Sequence, residues 1–282
     1  MSKRNTLHYY EDGDILVTVN DTLFRLHRSF LAMASRVFED MFACSVPSSN
    51  NENISCITLT NISSTVFENL LTFIYPRKYV RISWENIDSL LEIGDKYEIT
   101  VVIEAAEEFL EIHFAENPLL AFSLADQYGF KYVYKESSKL VLNNLAEFNA
   151  SQDFQKLSCK AAASLLSKHL DYILAIGNLS GLDVEQDYKH GCSHSITHGC
   201  VIHNNFVDKK RSVQSFPVIP PSKLYEILFK FDECDRKIED CQRRFLKSFF
   251  PIVFSSHFGV FEPLETEKGK SNVEKYLFLE LN

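Results

Sequence analysis

Asp14-Ile15-Leu16-Val17-Thr18-Val19-Asn20-Asp21-Thr22-Leu23-Phe24-Arg25-Leu26-His27-Arg28-Ser29-Phe30-Leu31-Ala32-Met33-Ala34-Ser35-Arg36-Val37-Phe38-Glu39-Asp40-Met41-Phe42 is the stretch on which the fold turns. Two short runs, Ile15–Val19 and Thr22–Leu26, are rich in β-branched and apolar residues and flank Asn20-Asp21. Asn and Asp tolerate the left-handed backbone of a two-residue turn, so this pattern predicts a hairpin. The spacing then becomes helical: Phe30, Leu31, Ala34, Val37, Phe38, Met41 and Phe42 recur at three and four residues, with Arg28, Arg36, Glu39 and Asp40 between them. A hairpin running straight into two short amphipathic helices must bury both apolar faces in one core.

Working outward, residues 1–13 are short and polar and carry no predicted element, although Leu7, Tyr9 and Tyr10 are available to pack on the hairpin or on a partner. Residues 45–53 read as a Ser/Asn/Pro loop and residues 56–59 as a third strand. Thr65-Val66-Phe67-Glu68 has capping-box spacing, and Phe67, Leu70, Leu71 and Ile74 form the stripe of a helix that Pro76 stops. Helices are predicted over 84–97, with Ile87, Leu90, Leu91, Ile93 and Gly94 inward, and over 100–114, with Val101, Val102, Ala105, Phe109 and Ile112 buried. Strands followed by helices in this order predict an α+β domain over residues 1–115, with Phe24, Leu31, Phe38, Phe67, Leu71 and Leu91 in a common core.

Glu116-Asn117-Pro118 marks a boundary. Beyond it, residues 116–177 show only helical spacing: one helix from Leu119 to Tyr128, another over 133–145, a short one from Ser151, then 160–167 and 169–176. Residues 178–221 lose periodicity and read as a His/Cys/Pro-containing loop or linker. Residues 222–282 form a C-terminal helix and tail. Ser222 is the expected cap of a helix to about residue 249, in which Leu224, Phe231, Ile238 and Phe245 recur every seven residues. The apolar tail around Tyr276 to Leu281 reads as a strand or a docking peptide.

Composition narrows the function. The chain has 282 residues, 45% hydrophobic and 24% charged, as expected for an ordinary globular protein. A net charge of −9 argues against nucleic acid as a partner, since phosphate binding relies on clustered Lys and Arg. The compact basic run Lys209-Lys210-Arg211 reads as exposed loop charges. No run reaches the length of a membrane span, and no apolar core follows the N-terminal charges, so neither a membrane partner nor a secretory signal is expected. The seven scattered cysteines then read as reduced thiols of the cytoplasm or nucleus. Phosphate-binding Gly loops and nucleophile elbows are absent from the sequence. Acid pairs such as Glu107-Glu108 fit a solvated helix face, so no enzyme and no cofactor are expected.

The densest polar cluster is His190-Gly191-Cys192-Ser193-His194 with His198-Gly199-Cys200-Val201-Ile202-His203. Cys192, His194, Cys200 and His203 have the ligand chemistry zinc prefers. Their spacing does not match a zinc-finger frame, and all would come from one short peptide, so zinc is predicted absent and a polar loop is the expectation.

Residues 12–114 resemble a BTB/POZ domain. The resemblance rests on Asp14, Phe24, His27, Leu31, Ser35, Phe38, Met41 and Phe42, then Ile57-Thr58-Leu59, the run from Phe67 to Tyr75, Leu90-Leu91-Glu92-Ile93-Gly94-Asp95-Lys96-Tyr97 and Glu107-Glu108-Phe109-Leu110, in that order. Leu124-Ala125-Asp126-Gln127-Tyr128-Gly129, Asn144-Leu145-Ala146-Glu147-Phe148 and Asp153-Phe154-Gln155-Lys156-Leu157 are similar to a BACK region, which often follows BTB. The resemblance implies a structural role for His27. It also implies a protein-interaction adaptor, with a cullin of a ubiquitin ligase complex or a second copy of the chain as partner. In that family a cullin reads a hydrophobic-x-Glu pattern after the second short helix. Here the hydrophobic position is Val46 and the Glu position is Ser48, and Phe42, Tyr97 and Phe130 are the expected neighbours of the anchor. A self-associating scaffold without ligase function, built on the BTB part and the 222–249 helix, is the alternative.

Overall fold

A computed structural model describes residues 3–44, 54–75, 80–179, 219–224, 262–264 and 275–281. The chain forms two compact units, Met1–Glu111 and Ile112–Asn282.

In the first unit the hairpin forms as its sequence demands. Strands β2 (Ile15–Val19) and β3 (Thr22–Leu26) pair antiparallel with Val19 opposite Thr22, and Asn20 turns the chain at φ 50°. Ile15, Val17, Val19, Phe24 and Leu26 all point inward, the period of two that one buried sheet face requires. Strand β4 (Ser55–Leu59) pairs parallel with β2. The sheet has a fourth strand where none was expected: β1 (Lys3–Tyr9) pairs parallel with β3, giving the order β1-β3-β2-β4. Its sequence is polar because it is an edge strand, and only His8 in it is fully buried. Little apolar alternation was therefore available to announce it.

Helices α1 (Arg28–Ala34) and α2 (Arg36–Ala43) are separated by a single extended residue, Ser35. The Ser35 amide donates to Leu31 O and closes α1, while its hydroxyl accepts from the Phe38 amide and opens α2. The same hydroxyl donates to Tyr97 O, at 2.5 Å, at the end of α4 (Ile87–Lys96). One residue thus joins three helices: its backbone closes α1, and its side chain ties the start of α2 to the end of α4. Helix α3 (Ser64–Ile74) is capped by Ser63, whose hydroxyl accepts from the Val66 amide, and not by Thr65 as the capping-box spacing suggested. It ends at Tyr75, whose extended backbone is that of a residue before proline.

Helix α4 begins three residues later than expected. Trp84 and its neighbours form a turn, because the Asn86 side chain accepts from the Ser83 amide and donates to Arg81 O. It ends in a Schellman motif: Ile99 N–H donates to Gly94 O and Glu98 N–H to Asp95 O, with Glu98 left-handed at φ 51°. Helix α5 (Thr100–His113) buries Val102, Ala106 and Leu110. Val101 and Ile112 are exposed, contrary to expectation. The buried stripe is rotated by about one residue, which an apolar run such as Val101-Val102-Ile103 leaves undetermined. Phe24, Leu31, Phe38, Phe67 and Leu71 share one core cluster, and Leu91 is fully buried outside it.

The second unit is helical. Helix α6 (Pro118–Tyr128) has Asn117 as its N-cap, Pro118 in its first turn and a left-handed Gly129 at its end. Helix α7 (Lys131–Asn143) starts and stops two residues before the expected 133–145 and is followed by α8 (Leu145–Asn149). A 3-10 turn at Phe154–Lys156 stands where the short third helix was expected. Helix α9 (Cys159–Leu179) is continuous across the predicted break between 167 and 169. Ser167-Lys168 contains no proline or glycine, and Ser158, which accepts from the Ala161 amide, supplies the cap at its start. Residues 221–224 are helical, so Ser222 lies inside the first turn with Pro221 ahead of it and does not cap it. The remainder of the 222–249 helix lies outside the described residues. Two short strands, β5 (Glu262–Pro263) and β6 (Lys275–Tyr276), pair antiparallel.

Candidate partner-docking surface

Helix α2 delivers the chain to Cys44, which is exposed, and β4 takes it up again at Ser55, which is buried. Residues 45–53, including Val46 and Ser48, lie outside the described residues. The platform from which they depart is a stack of rings. Phe38 lies at the centre, parallel to Tyr97 at 4.7 Å and to Phe42 at 6.0 Å. Offset stacks of this kind hold their members in fixed orientation. The Arg28 guanidinium sits 5.6 Å from the Phe42 ring.

Phe42 and Tyr97, singled out in the sequence as contact residues, are 7% and 4% exposed. They belong to the core and stiffen the end of α2 from within. Burial raises the Tyr97 phenol pKa, so it stays neutral at any ordinary pH. Phe130 belongs to the second unit, where it is 4% exposed beside Tyr128 at 6.1 Å.

His27 sits where β3 passes into α1 and is held on several sides. Its backbone amide donates to the Tyr75 hydroxyl at 2.9 Å, its Nδ1 lies 3.4 Å from that hydroxyl, and its Nε2 lies 3.4 Å from Asp12 Oδ1. The rings of Tyr10 and Phe30 pack against it at 5.2 and 5.3 Å. Burial pushes the Tyr75 phenol up to about 12, with a smaller opposing effect from the His27 amide and small additions from Tyr10, Asp14 and Asp12. This is a structural cluster, as the resemblance implied. Its other members, His8 and Tyr10, stack on or face Tyr75; His8 lies on the strand the sequence did not reveal, and Tyr10 directly follows it.

The outer surface of α1 presents Phe30 at 43% and Met33 at 83% exposure. The acid pair Glu107-Glu108 lies on α5 in a run of like charges. Burial raises the Glu107 pKa, and Glu111 and Glu104 add to the shift. Among the described residues no group of three His, Cys, Asp or Glu side chains is arranged to hold a metal ion, and no helix is long and apolar enough to cross a membrane. Cys192, His194, Cys200 and His203 lie outside the described residues.

A small mixed sheet flanked by short helices defines an α+β fold. In comparison with known proteins the BTB/POZ domain family model matches residues 6–113, and the chain carries a BTB/POZ domain there. Kelch-like protein 25 of Homo sapiens is 34% identical over 155 residues, which are 55% of this chain and 26% of that protein. Kelch repeat and BTB domain-containing protein 4 of Homo sapiens is 26% identical over 156 residues, 55% of this chain and 28% of that protein. The chain therefore spans about a quarter of the length of the curated relatives it matches. Among solved structures, the BTB domain of zebrafish PATZ1 is similar, with 27% identity, a TM-score of 0.29, and coverage of 34% of this chain and 74% of that one.

Proposed function

We propose that this protein is an intracellular, non-catalytic adaptor. Its BTB/POZ domain recruits a cullin of a ubiquitin ligase, and residues 116–177 act as a BACK-like helical extension. The observation that carries the reading is the rigid end of α2. The Phe42-Phe38-Tyr97 stack fixes the point from which residues 45–53 leave the domain, and Val46 is two residues beyond Cys44. An apolar side chain on so firm a base is suited to filling a partner's pocket. Its burial there contributes about 1–2 kcal/mol by area scaling. Ser48 in place of a carboxylate removes a charge-assisted contact, so the affinity is lower than a complete hydrophobic-x-Glu pattern would give.

Titration of the full chain with a cullin N-terminal domain tests this. Val46→Asp abolishes binding without shifting the melting temperature, and Ser48→Glu strengthens it. Unchanged binding by Val46→Asp would remove the assigned surface. The absence of binding in both the parent and Ser48→Glu would favour the second reading, a self-associating scaffold. That reading is supported by the exposure of Met33 and Phe30 on α1 and is read out by light scattering. No zinc is proposed at residues 190–203. One equivalent retained through dialysis, and lost when Cys192 and Cys200 are substituted together, would overturn that.

A further inference from the structure

Helix α7 contains four consecutive buried polar residues, Glu136, Ser137, Ser138 and Lys139. A helix with one wet face does not bury such a run. Lys139 Nζ lies 2.5 Å from Glu136 Oε1, and the two side chains are 0% and 1% exposed. An ion pair taken out of water needs further partners to offset its desolvation, and residues far along the chain supply them. Glu262 Oε2, in β5, is 2.5 Å from Lys135 Nζ and 3.7 Å from Lys139 Nζ. The Phe278 ring lies 4.5 Å from Lys135 Nζ and 5.7 Å from Lys139 Nζ, at cation–π distance. The Leu279 amide donates to Ser138 Oγ at 2.8 Å. Tyr276 and Leu277 are buried, while Glu280 stays exposed. Burial opposes the charge on both Lys135 and Lys168, and Glu280 is among the carboxylates that favour it.

These are the elements of peptide recognition: a main-chain N–H read by a side chain, an aromatic ring over two cations, buried apolar positions beside it and an acid near a lysine. Among the described residues the backbone ladder beside the segment is two pairs long, Glu262 with Tyr276 and Pro263 with Lys275. Side chains on α7, Lys135, Ser138 and Lys139, add their contacts to Phe278 and Leu279. We propose that this face of α7 is a peptide-docking site for a short extended segment of apolar–aromatic–apolar–acidic pattern. Residues 277–280 of this chain occupy it in cis, and a partner protein carrying the same pattern competes for it. The inference does not rest on the cullin reading, whose anchor Val46 belongs to the BTB/POZ domain.

The test uses a fluorescent peptide with the sequence of residues 275–281 and the full-length chain, read by anisotropy. Phe278→Ala loosens the resident segment and leaves α7 unchanged. The peptide then binds this variant at least about tenfold more tightly than the parent, because the site is no longer filled in most molecules. Adding Lys135→Glu abolishes the gain, and a peptide with Ala and Lys at its Phe and Glu positions binds neither protein. Equal binding to parent and variant overturns the proposal, as does a variant that keeps a cooperative far-ultraviolet melt and binds no peptide. Should Phe278→Ala lose that melt, Glu280→Lys, at an exposed position, takes its place under the same criteria. Failure of both variants to bind peptide makes the segment a fixed part of the fold and sinks the docking site.

Discussion

Replacing Ser35 by Ala removes the side-chain fastening between α2 and the end of α4, and leaves the backbone bond that closes α1, while taking away only one oxygen. The hydroxyl is the N-cap of α2, and such a cap contributes about 1 kcal/mol. It is also the donor to Tyr97 O in a buried site. Alanine leaves that carbonyl without this partner, at a further cost of about 1–3 kcal/mol. The sum is about 2–4 kcal/mol. Ser63→Ala is the control: Ser63 caps α3 through one exposed bond, so its loss amounts to about 1 kcal/mol. The chain has one tryptophan, Trp84, and it sits edge-on to Phe109 at 5.2 Å within the BTB/POZ unit. Urea unfolding followed by tryptophan fluorescence therefore reports that unit selectively. The expected midpoint falls by on the order of 1–2 M for Ser35→Ala and clearly less for Ser63→Ala. Equal shifts for the two variants would mean that the bond to Tyr97 contributes nothing.

Leu31→Ala, at a fully buried position, destabilises the same unit by ~2–5 kcal/mol in the same assay, through the cavity it leaves. Glu98→Gly raises stability by about 0.5–1 kcal/mol, since Glu98 holds a left-handed conformation that glycine adopts without strain; a lower urea midpoint would refute this. Tyr75 gives an alkaline signature. Its phenol ionises near 10 when unfolded and is pushed up to about 12 when folded, so the unfolded chain releases its proton first and stability falls as pH rises between those values. Tyr75→Phe should show a shallower fall between about pH 10 and about pH 12, measured through Trp84. For the docking surface, the decisive comparison remains Val46→Asp against Ser48→Glu in cullin titrations at unchanged melting temperature.

The hairpin and the core were legible because their signals are redundant. Asn20 turns where it should, and Val17, Phe24, Leu31, Phe38 and Phe67 are each placed by a short period and a nearby cap or turn. Strand β1 was not legible: an edge strand needs hydrogen bonds more than apolar side chains, so its seven residues carry almost no pattern. The face of α5 was misread by one position because three adjacent β-branched residues satisfy either phase. Ring burial at Phe42 and Tyr97 could not be read either, since a docking residue and the residue that braces it have the same composition. The α7 site escaped for a different reason. Its Lys, Ser and Glu look like a solvated helix face until Glu262 and Phe278, more than a hundred residues away, are brought to it.

The parallel pairing of β2 with β4 has a consequence for how the chain tolerates cutting. Every residue from Ile15 to Val19 is matched in register to one from Ser55 to Leu59, and residues 45–53 lie between the two strands in sequence. A protease that severed the chain between Cys44 and Ile54 would leave two fragments still joined by one continuous ladder and a shared core. The nicked protein would migrate as one species on a sizing column and as two on a denaturing gel. Peptide tags or reporter sequences inserted there would be carried by the intact fold.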